Sequence, residues 1–149
     1  MYADPRVADF INERFRSVRI HVREDADAWK KVSLELGVQW TPTILILSPE
    51  GKEQHRIEGF LPAEDFLAQL SIGLAKAAFS RGDFSDAERR YREVLEQYPN
   101  TESAPEAMYW AGVARYKGTN DPSALQETAR SFRQRYKDTA WAKKASVWG

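Results

Sequence analysis

Cysteine is absent and histidine is rare in this chain, and the spacing of its other reactive side chains does not predict an active site. There is no cysteine, so the chain has no thiolate nucleophile, no disulfide and no thiolate metal ligand. The two histidines, His21 and His55, are isolated from each other, which argues against a histidine-rich metal site. Neither a Ser-His-Asp spacing nor a glycine-rich phosphate loop is evident. These features favour a binding function over an enzyme, without a metal or a cofactor.

One segment has an arrangement that is typical of a ligand groove. It spans residues 37–51 and reads GVQWTPTILILSPEG. Gly37 is a typical helix stop, and a Thr41-Pro42-Thr43 step follows it. The apolar run Ile44–Leu47 predicts a strand that is buried on both faces, and the Ser48–Gly51 stretch predicts a turn.

The composition is typical of a soluble folded protein. The chain has 149 residues, of which 42% are hydrophobic and 30% are charged. Its formal net charge is zero, so we expect no general attraction to nucleic acid or to an anionic membrane. The longest apolar run is Ile44–Leu47, which is far too short for a membrane-spanning helix. The start of the sequence lacks a signal-peptide pattern, so we expect a cytoplasmic protein if Met1 is the true start.

Residues 1–70 alternate between helix and strand patterns. Asp4-Pro5 predicts a helix start, and Val18–Val22 alternates as a strand does. Asp25 or Asp27 can begin a second helix that stops at Gly37. The strand at Ile44–Leu47 and a polar strand from Glu53 to Gly59 then predict a hairpin.

Residues 71–149 show helical periodicity throughout. A long helix is predicted from Pro62 to about Arg81, and Gly82-Asp83 interrupts it. The next helix is expected to end at Pro99. The predicted fold class is therefore α/β up to residue 70, followed by an all-α region.

The first part resembles a thioredoxin-fold protein. The resemblance rests on these residues: Tyr2, Pro5, Val7, Phe10, Ile11, Asn12, Phe15, Val18, Ile20, Val22, Leu36–Val38, Thr41–Leu47, Glu50, Gly51, Gly59 and Phe60. It implies that Pro42 is a cis proline and that Thr41 offers its backbone to an extended substrate chain. It also implies a substrate groove formed by Trp40, Thr41 and Pro42.

The resemblance covers an incomplete thioredoxin-like fold. The family's first strands and its Cys-x-x-Cys motif would lie before Tyr2, where this chain has only Met1. One explanation is a longer protein whose start lies upstream of Met1. The other is a chain that closes the gap by pairing its own strands directly or by forming a homodimer across a two-fold axis.

The second part resembles tetratricopeptide repeats. Leu74, Ala75, Phe84, Ala87, Tyr91 and Pro99 match the repeat pattern, and a looser copy follows 37–38 residues later. In that copy Gly112 corresponds to Ala75 and Tyr136 to Tyr98, and Ala145–Trp148 echoes Ala107–Trp110. The resemblance implies that the first helix of each pair lines a binding surface. Its candidate residues are Ile72, Lys76, Phe79, Tyr109, Val113, Tyr116 and Lys117.

Two functions remain open from the sequence. The first is a redox-inactive module that binds a protein or an extended peptide with acidic or C-terminal carboxylate character, since aromatic rings with flanking lysines suit such a ligand. The alternative is the C-terminal part of a thiol-disulfide oxidoreductase whose Cys-x-x-Cys lies upstream of Met1.

Overall fold

The first helix, α1 (Pro5–Arg14), begins at the predicted Asp4-Pro5 signal. The computed structural model describes all residues from 1 to 149. The carboxylate of Asp4 accepts a hydrogen bond from the Arg6 N–H at 2.9 Å, and Pro5 occupies the first turn. Val7 is fully buried on the inner side of this helix.

Residues 15–22 contain no strand, so the predicted strand at Val18–Val22 is wrong. Val18 is 84% exposed. A strand is stable only where a neighbouring strand satisfies its backbone groups, and no strand of the chain pairs with this segment. The segment instead ends in a turn, in which the His21 N–H donates to the Asp25 carboxylate at 2.7 Å.

Helix α2 (Ala26–Glu35) is held at its C-terminal end by Arg56. The Arg56 guanidinium donates to the backbone oxygens of Leu36 and Gly37, the latter at 3.2 Å. A cation that bonds the last carbonyls of a helix satisfies orphan acceptors and complements the helix dipole. Gly37 follows with a φ of 61°, a left-handed conformation that glycine adopts easily. Arg56 therefore fixes where the loop after α2 starts.

The sheet of the first part is a single antiparallel hairpin of β1 (Thr43–Leu47) and β2 (Glu53–Glu58). Ile44 lies opposite Ile57 and Ile46 opposite His55, with an irregularity between Ile46 and Leu47. The Thr41-Pro42 peptide bond that leads into β1 is cis, as the resemblance implied. The hairpin itself confirms the predicted strand pair.

The expectation that Ile44–Leu47 is buried on both faces is wrong. Only Ile46 is fully buried in β1, and Leu47 is 42% exposed. The physical reason is that β1 has one neighbouring strand, whereas a strand buried on both faces needs cover from both sides of a larger sheet.

From α3 onward the chain is helical. The helices are α3 (Ala63–Ser80), α4 (Phe84–Gln97), α5 (Ser103–Thr119), α6 (Ser123–Gln134) and α7 (Ala140–Ala145), followed by a 3-10 turn at Ser146–Trp148. The break after α3 lies at Gly82, whose φ is 78°, and Asp83 caps α4 by accepting from the Asp86 N–H. None of these helices combines the length and the hydropathy that a membrane-spanning segment requires.

Small residues form the core between these helices. The buried cluster consists of Ala68, Ile72, Ala75, Ala78, Ala87, Tyr91, Val94, Ala107, Ala111 and Ala114. Gly112 shows how close the helices approach, because a Cβ built there would lie 2.0 Å from the Thr128 Oγ1. This packing agrees with the small-residue pattern on which the repeat resemblance rests.

By its internal contacts the chain divides into two units, residues 1–67 and 68–149. We call them the hairpin unit and the helical unit. The two corresponding repeat positions Tyr98 and Tyr136 both follow a helix of the helical unit, α4 and α6. The Tyr136 hydroxyl donates to the Pro99 backbone oxygen at 2.6 Å, which ties the end of one repeat to the end of the other.

Candidate peptide-binding surfaces

Two neighbouring helices of the helical unit, α3 and α5, carry the predicted binding residues. The Lys76 ammonium lies 3.5 Å from the Glu106 carboxylate, and the Gln69 side chain donates to the Ser103 hydroxyl at 2.9 Å. These contacts join the two helices along their length. We define the inner face as Lys76 and Phe79 of α3 with Tyr109, Val113, Tyr116 and Lys117 of α5. On each helix these residues recur at a spacing of three or four, so they share a side.

Ile72 does not belong to the inner face. Its side chain is 0% exposed and lies in the alanine-rich core. The expectation that Ile72 touches a ligand is therefore corrected to a packing position. Ile72 precedes Lys76 by about one helical turn, but its side chain packs among the alanines of the buried cluster.

Phe79 is fixed by two other aromatic rings. Its centroid lies 5.1 Å from that of Phe84 and 5.7 Å from that of Trp110, both nearly edge-on. Edge-to-face contacts at these distances stabilise the pair beyond the area they bury. Phe79 is only partly buried, so part of its ring remains accessible on a rigid base.

The C-terminal segment covers much of Tyr109. The Tyr109 ring stacks on Trp148 at 4.7 Å with an interplanar angle of 26°, and it lies 5.3 Å from the Trp141 ring. Trp110 contacts it from a third direction at 5.4 Å. Tyr109 is thus mainly a packing residue that joins α5 to the C-terminal segment.

The exposed end of the inner face lies at the end of α5. Tyr116 is 37% exposed and Val113 is half-buried. Lys117 is exposed, and its ammonium lies 5.6 Å from the centre of the Phe84 ring. No carboxylate of the chain forms an ion pair with Lys117. This end therefore combines an exposed aromatic ring with a positive charge that no carboxylate neutralises.

At the other end of the inner face, the lysine lies beside a carboxylate. The Lys76 side chain keeps 33% of its exposure, and Glu106 beside it keeps 16%. Nearby, Tyr91 is 1% exposed, and its burial raises the pKa of the phenol, with a further contribution from the Glu106 carboxylate. Tyr91 therefore remains a neutral packing residue at physiological pH.

The loop Trp40–Pro42 in the hairpin unit is the second candidate surface. Trp40 is 67% exposed, and its backbone oxygen accepts from the Thr43 hydroxyl at 2.6 Å. The Pro42 oxygen accepts from the Gly59 N–H at 2.8 Å, which closes the open end of the hairpin. Between them, exposed Thr41 has no hydrogen-bond partner within the chain.

Comparison of the sequence with known protein families gives two matches. Residues 1–72 match the thioredoxin-like domain, and residues 72–138 match the tetratricopeptide repeat. The chain is therefore a thioredoxin-like segment followed by a tetratricopeptide repeat, as its motifs predicted. Repeats of this kind generally mediate contacts between proteins. Neither the curated proteins nor the solved structures gave a match to the chain.

Four rings that shape the inner face were not among the predicted site residues: Phe84, Trp110, Trp141 and Trp148. A signal for two of them was present, since Ala145–Trp148 echoes Ala107–Trp110. The echo places aromatic residues at matching repeat positions, but only the packing of the helices shows that they meet at Tyr109.

Proposed function

We propose that this chain is a protein-interaction module, without redox activity of its own, that binds an extended peptide on the inner face of the helical unit. The peptide would lie over Lys76, Phe79, Val113 and Tyr116 and would end near Lys117. We also propose that the module begins near residue 71 and that residues 1–70 form the thioredoxin-like domain.

The observation that carries this proposal is that Tyr116 and Lys117 are both exposed at the end of α5. A ligand that covers this end must provide apolar contact for the Tyr116 ring and a negative group for the Lys117 ammonium, because burying an unpaired charge costs free energy. Tyr116 is one of only two large apolar side chains of the helical unit that remain exposed. It lies where a repeat of this type is expected to bind its ligand.

The ligand chemistry follows from the charges. Lys117 has no carboxylate partner in the chain, whereas Lys76 lies beside Glu106. A single negative group at one end of the peptide, such as a C-terminal carboxylate or an acidic side chain, suits this arrangement better than a uniformly acidic chain. Apolar side chains of the peptide would cover Val113 and Tyr116.

The test is a comparison of two peptide pools. Fluorescein-labelled octapeptides that contain no Asp or Glu and have a free C-terminal carboxylate are titrated with the full chain, alongside the same peptides with amidated C-termini. We expect the free-carboxylate pool to bind at least about tenfold more tightly, since one charge-assisted contact contributes about 1.5–3 kcal/mol. Binding should weaken as salt is raised.

Variants locate the site. Lys117→Gln should remove the difference between the two pools, and Tyr116→Ala should weaken both. Lys143→Gln is the matched control, since Lys143 is also exposed in the helical unit but lies on α7. Equal binding by wild type and Lys117→Gln would refute the proposed position of the carboxylate.

The second candidate function is favoured by the exposed position of Thr41, whose backbone has no hydrogen-bond partner within the chain. In this reading the Trp40–Pro42 loop supplies the substrate groove of a thiol-disulfide oxidoreductase, and the cysteines come from residues encoded upstream of Met1. Translating the upstream codons and assaying the extended protein for insulin reduction tests it. A stop codon close upstream would exclude this candidate.

A further inference from the structure

The basic side chains of the helical unit fall into two groups, according to whether a carboxylate pairs with them. Residues 68–127 contain seven lysines and arginines, of which six form ion pairs: Lys76, Arg81, Arg89, Arg90, Arg92 and Arg115. Residues 128–149 contain six, and none of these pairs with a carboxylate side chain. The second stretch has only one acidic residue, so its formal side-chain charge is +5, whereas that of residues 68–127 is −2.

Five of the six unpaired side chains also donate no hydrogen bond within the chain. We call them the basic cluster: Arg130, Arg135, Lys137, Lys143 and Lys144. All five are exposed, and they lie at the end of α6, in the turn after it and on α7. Helix α7 packs back against α6, and the sixth basic residue, Arg133, donates to the Gly149 oxygen at 2.6 Å. The basic cluster therefore occupies one pair of neighbouring helices.

Two aromatic rings hold two of these cations in place. The Arg135 guanidinium lies 4.8 Å from the centre of the Tyr136 ring, and the Lys144 ammonium lies 4.2 Å from the centre of the Trp141 ring. A ring attracts a cation without neutralising its charge. A side chain that is already held loses less conformational freedom when a ligand binds, so these contacts prepare the cluster for an anionic group.

We propose that the basic cluster is a second interaction surface, which binds a short segment of a partner protein that is rich in aspartate and glutamate. Charge complementarity is the argument for this partner. The five cations repel one another, and no carboxylate side chain of the chain offsets that repulsion. The surface does not depend on the proposed peptide site, because none of its residues belongs to the inner face.

A protein segment suits the basic cluster better than a nucleic acid does. Single strands bind largely by stacking their bases on exposed rings. The Tyr136 and Trp141 rings are half-buried, and each has a cation over it. A duplex is a long polyanion that would extend from the cluster over the rest of the helical unit, whose formal charge is negative. A short acidic segment meets neither obstacle.

Titration of labelled peptides with the full chain tests the proposal. The probe is fluorescein-labelled hexaglutamate with an amidated C-terminus, and hexaglutamine with the same label and the same end is the control. We expect hexaglutamate to bind at least about tenfold more tightly, and the difference to shrink as salt is raised. A thymidylate oligonucleotide of equal charge is titrated alongside. Equal binding of the two peptides, or tighter binding of the oligonucleotide, overturns the proposal.

Two double variants locate the surface, with circular dichroism to show that each is folded. Lys137→Gln with Lys144→Gln should weaken hexaglutamate binding about tenfold. Arg89→Gln with Arg92→Gln removes the same charge from ion pairs of α4 and should change binding by less than about twofold. Lys117→Gln should leave it unchanged, which separates this surface from the inner face. If either the α4 variant or Lys117→Gln weakens binding as much as the cluster variant does, the proposal is wrong.

Discussion

The two units of the chain differ in how many of their large apolar side chains are exposed. Seven of the nine large hydrophobic side chains that remain exposed belong to the hairpin unit, residues 1–67. The helical unit instead buries a continuous cluster of small residues around Tyr91. The difference follows from how each kind of structure satisfies its backbone. A helix closes its own hydrogen bonds, so two helices need only a complementary face, whereas a strand needs a neighbouring strand.

The two candidate surfaces differ in the structure that supports them. The inner face rests on rings that are fixed by packing, such as Phe79 between Phe84 and Trp110. The loop at Trp40–Pro42 rests on a two-stranded hairpin and an arginine that holds the end of α2. We therefore expect the helical unit to present a preformed site.

The largest expected effect tests the contrast directly. Tyr91→Ala removes a fully buried ring from the core of the helical unit and should lower the free energy of unfolding by about 3–5 kcal/mol. Trp40→Ala removes a larger ring that is 67% exposed in the hairpin unit and should change it by no more than about 0.5 kcal/mol. Urea titrations followed by circular dichroism compare them. Equal losses of unfolding free energy in the two variants would contradict the difference in burial between Tyr91 and Trp40.

The next effect concerns the close approach of α5 and α6. Gly112→Ala would place a Cβ 2.0 Å from the Thr128 Oγ1 and should destabilise the chain by about 1–3 kcal/mol. Gly118→Ala, in the same helix, meets its nearest atom at 3.4 Å and should be neutral or slightly stabilising, since alanine favours the helix. Thermal unfolding of the pair measures the difference. If Gly112→Ala is the milder change, the helices are not packed as described.

A smaller effect is expected where Arg56 holds the end of α2. Arg56→Gln removes the guanidinium that bonds the carbonyl oxygens of Leu36 and Gly37. We expect faster amide exchange in the segment that leads to Trp40 and no change in α4–α6. Arg56→Lys should restore only part of the protection, because an ammonium cannot reproduce the two-pronged geometry. Unchanged amide exchange in both variants would show that Arg56 does not hold the loop after α2 in place.

The smallest effect is an ionic one in the helical unit. Hydrogen bonds from Arg90 and then Arg89 lower the pKa of Asp86. A carboxylate whose pKa is depressed in the folded state stabilises the fold above its unfolded pKa of about 4, and this is lost as the pH falls through the folded pKa.

Asp86→Asn should therefore cost at most about 1 kcal/mol at pH 7 and nothing at a pH below the folded pKa. Glu96→Gln, at an exposed position of the same helix, is the control and should change stability little at either pH. Urea titrations at both pH values provide the comparison. A cost that persists unchanged at low pH would show that the Asp86 effect is not ionic.

Local signals in the sequence predicted most of the elements. Asp4-Pro5, Gly37, Gly82-Asp83 and Pro99 marked boundaries correctly, because capping and helix-breaking act over a few residues. The strand at Val18–Val22 was predicted wrongly from alternation alone. Alternation describes how a strand would place its side chains, but whether a partner strand exists is a non-local fact.

For the candidate site, the helical period placed Lys76 and Phe79 on one side of a single helix, and their contacts with Glu106 and Trp110 show that this helix neighbours α5. It could not show that Ile72 turns into the core or that Trp148 covers Tyr109, because both depend on side-chain packing between separate helices. Position on a face is encoded locally, whereas exposure is decided by the neighbours.

The central claim is that the peptide binds the helical unit and not the Trp40–Pro42 loop. Chemical-shift mapping of the labelled chain with a free-carboxylate octapeptide tests it most directly. We predict that the shifts concentrate at Lys76, Phe79, Val113, Tyr116 and Lys117, and that the amidated peptide leaves Lys117 unchanged. Shifts confined to Trp40, Thr41 and Thr43 would contradict the claim and assign binding to the hairpin unit.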